Sequence, residues 1–194
     1  MNANPVPESP FASANPFSAA DVEAVLRERG WLTVDATPEM KAWLGDATAL
    51  LGPQAVNSIP ADAARSALQQ LLSLIFFYDA PALLDDVNNQ TVMAREGARE
   101  VIRELANHIL FFPASCGAGI DSRRYQEIIE SLKASLHFRG RELFHPIRLA
   151  LAGRAGEGEL DRVILLLDRA ADLGFASPVK GTCQRMIEFC AALR

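Results

Sequence analysis

Little in this 194-residue chain invites metal or redox chemistry. Its three cysteines, Cys116, Cys183 and Cys190, are odd in number and form no Cys-x-x-Cys pair, so neither a disulfide framework nor a zinc ribbon is indicated. Cys183 and Cys190 lie seven apart on the last predicted helix and share a face. That reads as a buried pair of thiols and points to a reducing compartment. His108, His137 and His145 sit in separate segments with no nucleophile motif nearby, so packing or surface roles are expected, although His137 and His145 flank one turn. No run reaches the roughly 20 apolar residues of a membrane span. The longest, residues 68–78, is interrupted by Gln69, Gln70 and Ser73. Residues 1–16 lack the basic start and apolar core of a secretory leader. A cytoplasmic protein with no metal or cofactor is therefore expected.

Strand periodicity is missing too. No strand-length stretch alternates apolar and polar residues, whereas helical spacing recurs throughout, and the expected fold class is all-α. Residues 1–16, with four prolines, read as a disordered arm. Ser18 with Asp21 forms a capping box, and Gly30 ends that helix. Thr37-Pro38-Glu39 starts a second helix, predicted to stop at Gly52-Pro53. A third covers residues 61–78, and residues 79–89 read as a turn-rich connector. Further helices are predicted over residues 92–112, 122–138, 141–152, 160–173 and 179–193, with a loop over 113–119. Seven or eight helices in two subdomains, residues 17–88 and 89–194, follow from this reading. Phe76, Phe77, Tyr78, Phe111 and Phe112 are expected to plug the core.

Net charge is −5, which counts against generic nucleic-acid binding, but it is unevenly spread. Residues 1–100 hold 6 basic and 13 acidic residues, whereas residues 101–194 hold 13 basic and 11 acidic. Any phosphate-facing surface belongs to the second half. There, Gly140-Arg141-Glu142-Leu143-Phe144-His145-Pro146-Ile147-Arg148-Leu149-Ala150-Leu151-Ala152-Gly153 is the most informative stretch. Pro146 is expected in the first turn of a short helix that Gly153 closes, delivering Arg148 at a fixed angle.

This stretch resembles the Pro-Leu-Arg-x-Ala-Leu-Thr-Gly segment of the C-terminal anticodon-binding region of glutamyl-tRNA synthetase, and the order of helices over residues 17–175 is similar. The resemblance implies a helical cage that binds tRNA, or a like RNA, with Arg148 at an anticodon base and Leu160 beside it. The alternatives for Arg148 are capping the preceding helix and pairing with Glu142. Lys133, Arg139, Arg141 and Arg154 flank the motif, and Arg123 and Arg124 oppose the dipole at a helix start. Together they offer phosphate contacts, or a solvated helix surface. The family's ATP-gripping His-Ile-Gly-His and Lys-Met-Ser-Lys-Ser sequences are absent, as is a Gly-rich phosphate loop, so no enzyme activity is expected of this chain alone. Two departures stand out: Glu157 and Glu159 lie where RNA would approach, and Gly52-Pro53-Gln54 replaces a basic turn. They favour a second expectation, a protein-interaction module that kept the scaffold and lost RNA. A third is a split half that works beside a separately encoded synthetase.

Overall fold

A computed structural model of the chain describes residues 15–56, 61–111 and 119–193. Among them are ten α-helices and no strand: α1 Ala19–Glu28, α2 Pro38–Val56, α3 Ala61–Phe76, α4 Ala80–Asp85, α5 Val87–Met93, α6 Ala98–Ala106, α7 Ser122–Ser135, α8 Arg141–Ala152, α9 Glu159–Ala171 and α10 Thr182–Ala192. A π-helical turn, Asn107–Phe111, extends α6. The all-α expectation holds. None of these helices is long and apolar enough to cross a membrane.

Short-range signals set the ends of several helices. Ser18 and Asp21 cap α1 reciprocally, and Thr37 Oγ1 accepts from Met40 N at 3.3 Å to open α2. Gly30 and Gly153 adopt positive φ just past α1 and α8, as their positions predict. Elsewhere tertiary packing overrides the local signal. Helix α2 passes through Pro53, one turn beyond the expected stop, and the Asn15 amide donates to the Thr48 carbonyl at 2.8 Å beside that break. Asn15 is thus already fixed; the rest of the predicted arm, residues 1–14, lies outside the described residues. The connector over residues 79–89 carries two short helices, each capped by an aspartate: Asp79 for α4 and Asp86 for α5.

The long helix expected over residues 92–112 is divided. Gly97 turns the chain left-handed at φ +79°, and any Cβ there would run into the Phe138 ring, so only glycine allows α6 to approach this aromatic. The loop predicted over 113–119 lies largely outside the described residues, as does Phe112. Of the aromatics expected to plug the core, Phe76 and Tyr78 do so, whereas Phe77 and Phe111 are exposed. The thiol pair is also corrected. Cys183 is disulfide-bonded, whereas the Cys190 thiol donates to the Met186 sulfur at 3.7 Å, which removes the basis for reading a reducing compartment from these cysteines.

One hydrophobic cluster runs from Val22 to Phe189 and joins both halves of the chain. Helix α9 is central: it packs on α2, α3 and α8, and its Leu166 carbonyl accepts from the buried Trp43 indole at 3.1 Å. Asp168, on the far turn of α9, fastens two approaching loops. Its carboxylate accepts from Ile120 N at 2.7 Å, from Thr182 N at 2.6 Å and from the Thr182 hydroxyl. Asp168→Ala leaves two backbone donors without an acceptor and is expected to cost about 2 kcal/mol in urea unfolding. Asp168→Asn, which keeps an acceptor, should recover part of that.

Candidate functional site

The motif helix α8 does not begin at its proline. It starts at Arg141, and Pro146 lies inside it, leaving the Glu142 carbonyl without an intrahelical donor. After Gly153 the chain reverses and runs back along α8 before α9 begins. This reversal decides the fate of Arg148, which is 7% exposed. Its Nε and Nη2 donate to the two carboxylate oxygens of Asp161 at 2.7 and 2.8 Å, and its Nη1 donates to the Gly156 carbonyl at 2.7 Å. The Phe144 ring lies 4.8 Å below the guanidinium. Tyr125 on α7 donates its hydroxyl to the same Asp161 oxygen at 2.8 Å. Burial alone pulls Arg148 downward in pKa, but the bonds and charge of Asp161 outweigh it and leave the guanidinium above its ordinary value. Arg148 is therefore an internal clamp that locks the reversing loop onto α8 and α9, not an exposed finger; nor does it pair with Glu142.

An open groove of about 660 Å³ lies over this cluster, between α7, α8 and α9, with Gln54 of α2 at its edge. Tyr125, Ile129, Phe144 and Leu165 give it apolar walls, and Lys133 and Arg162 supply positive charge. Arg162 has no ion pair or hydrogen bond among the described residues. Lys133 is held by Glu130 at 2.7 Å.

The other expected contact residues are dispersed. Arg141 is exposed and reaches Glu157 at 3.4 Å, Arg154 reaches Glu159 at 3.7 Å, and Arg123 and Arg124 share Glu127 at 3.0 and 3.7 Å. Arg139 closes α7, donating to the carbonyls of Leu136, Phe138 and Lys133 at 2.6–2.7 Å, so its guanidinium is structural. Leu160 is fully buried in the core, which corrects its expected place beside a ligand. Among the eight expected residues, the groove thus brings together Lys133 at its rim and Arg148 beneath its floor. Four residues that the sequence did not single out for this role, Tyr125, Phe144, Asp161 and Arg162, complete it.

His137 packs on the Phe138 ring, with centroids 4.0 Å apart. His145 instead lies beside Arg95, 3.4 Å from its Nη1, and its own Nε2 is buried with no partner among the described residues. Burial, then the charges of Arg95 and Arg141, hold His145 below its usual pKa, and no nucleophile accompanies either ring. No cluster of three His, Cys, Asp or Glu side chains fit for a metal ion occurs among the described residues.

Tyr125 gives the site a pH signature. Burial, reinforced by the Asp161 carboxylate, pushes its phenol far above the usual value, and burial does the same to Tyr78. In the unfolded chain both ionise near pH 10. Above that pH the unfolded state sheds protons that the native state keeps, so stability falls as pH rises, by about 1.4 kcal/mol per unit for each tyrosine. Arg185, stacked on Tyr78 and pulled down to about 10 by burial, has a slope of opposite sign. Tyr125→Phe is therefore the cleaner variant. It should flatten the decline of the urea midpoint above pH 10 by one tyrosine's share.

Compared with family models, with curated proteins and with solved structures, the chain gives no match.

Proposed function

We propose that this chain is a non-catalytic RNA-binding module that takes unpaired loop nucleotides of tRNA, or of an RNA like its anticodon stem-loop, in the groove between α7, α8 and α9. The observation that carries the reading is the convergence of Phe144, Tyr125, Lys133 and Arg162 on one open cavity built by the motif helix. Splayed bases are bound by stacking on aromatic and guanidinium planes, with cations placed for the phosphates. Lys133, Arg141 and Arg154 are engaged in exposed ion pairs worth at most about 1 kcal/mol, which a phosphate can displace. Arg148 acts here by holding the floor and the Phe144 ring in place.

Filter binding to bulk tRNA tests this. The Lys133→Ala/Arg162→Ala double variant is expected to bind about tenfold or more weakly at low salt. It should also lower the slope of log affinity against log salt by about 0.7 for each cation removed. Unchanged affinity and slope would remove the groove from the mechanism.

A second reading, a helical protein-interaction module, is favoured by one observation: Glu127, Glu130, Glu157 and Glu159 pair with the very cations that would meet phosphate. Absence of tRNA retention at low salt, with co-purification of a synthetase, selects it. Stimulated charging on adding the chain to a separate synthetase catalytic domain would select the split-half version.

A further inference from the structure

The junction between α3 and α4 carries an aromatic knob with no part in the groove described above. Phe77 is 64% exposed, yet it is held rigidly. Its amide donates to the Ser73 carbonyl at 2.9 Å, and its ring meets the edge of Trp31 at 5.7 Å, which in turn stacks on Phe76 at 4.5 Å. A groove of about 520 Å³ lies on one side, lined by Leu83 with the carboxylates of Asp79 and Asp86, and a smaller one of about 340 Å³, lined by Gln69, Gln70 and Arg29, lies on the other. Val87, next to Asp86, is 74% exposed.

The acids here differ from the paired acids of α1. Glu23 and Glu28 pair with Arg27 and Arg65. Asp79, Asp85 and Asp86 form no ion pair among the described residues. Asp79 and Asp86 each spend one oxygen, Oδ1, on capping α4 and α5. The cations nearest this face are engaged elsewhere: Lys180 donates to the Tyr78 carbonyl at 3.1 Å and pairs with Glu188 at 2.7 Å, and Arg29 donates to Gln69 at 3.3 Å, so neither pairs with Asp79 or Asp86.

We propose that this face docks a cationic protein segment: an apolar or aromatic anchor packs beside Phe77 and Leu83, and lysine or arginine side chains meet Asp79 and Asp86. A rigid, exposed aromatic loses little freedom on binding and suits the centre of such a contact. Carboxylates without an ion-pair partner beside it disfavour nucleic acid and favour a basic partner. The surface therefore has the opposite preference to the α7–α9 groove and stands independently of what that groove binds.

The test uses the full chain and a short fluorescein-labelled peptide of lysine and leucine, followed by anisotropy and by the emission of Trp31. Saturable binding is expected, about tenfold weaker in Phe77→Ser, whose side chain contributes little to the core. A similar loss is expected in Asp79→Asn/Asp86→Asn, where asparagine still caps both helices. Asp35→Asn/Asp172→Asn, an equal charge change at other exposed sites, should stay within about twofold of the parent. Equal binding of a glutamate–leucine peptide, or an equal loss in the Asp35/Asp172 control, overturns the proposal. So does displacement of the probe by tRNA or by a peptide of residues 1–14.

Discussion

Arg185→Ala is expected to remove about 3–5 kcal/mol of stability, a large part of what a domain of this size has. Arg185 is fully buried in α10 and faces no carboxylate within ion-pair distance among the described residues. Its charge is met by carbonyls instead: Nε donates to Lys180 O at 2.8 Å, Nη1 to Leu151 O at 2.8 Å, and Nη2 to Leu74 O and Ile75 O at 3.0 and 2.7 Å. Leu74 and Ile75 close α3, and Leu151 is in the last turn of α8. One guanidinium thus sits at the negative ends of two helix dipoles and ties the first half of the chain to the second. Tyr78 covers it at 4.6 Å and donates its own hydroxyl to Ala150 O at 2.6 Å. Truncation takes the guanidinium away from four carbonyls, two of them buried and two half-buried, and opens a cavity, both costly. Arg185→Lys should recover less than half the loss, because an ammonium cannot fork to acceptors on two helices. Urea unfolding decides it: a loss below about 1 kcal/mol for Arg185→Ala would mean that water replaces the guanidinium at little cost.

Arg185 also shows which information the sequence carried openly. It shares a helical face with Thr182 and Phe189, all three buried, and an arginine in an apolar stripe is a legible sign of a buried cation. What it binds was not legible, because three of its four acceptors are backbone groups 34, 110 and 111 positions away. The capping box at Ser18 and the left-handed glycines are contacts within a few residues, and the sequence shows them directly. Pro53 and Pro146 misled for a physical reason. A proline denies one hydrogen bond and kinks a helix, but packing on both sides can hold the helix through it. Arg148 stood out in the sequence as a candidate RNA contact, whereas the structure holds it in an internal ion pair with Asp161. Its role depends on a chain reversal after Gly153 that brings Asp161 beneath it, and no local pattern encodes that reversal.

Arg148 and Asp161 should therefore fail together. Arg148→Ala leaves Asp161 with Tyr125 as its remaining side-chain donor among the described residues, and Asp161→Asn leaves a nearly buried guanidinium facing a neutral amide. Each change is expected to cost about 2–3 kcal/mol in urea unfolding. In the double variant the losses should fall short of additive by about 1–2 kcal/mol, since the second change breaks a pair already broken. The same pair separates two accounts of RNA binding. If Arg148 touched phosphate, its removal would lower the salt slope, and Asp161→Asn, which deletes a negative charge near the groove, would strengthen binding. If Arg148 instead holds the floor under Phe144, both variants should bind tRNA about tenfold more weakly with the salt slope unchanged, because the damage is to shape and not to charge. Weakened binding by Asp161→Asn is the decisive outcome: a substitution that makes the protein more positive can reduce its affinity for a polyanion only by disturbing the geometry that the carboxylate maintains.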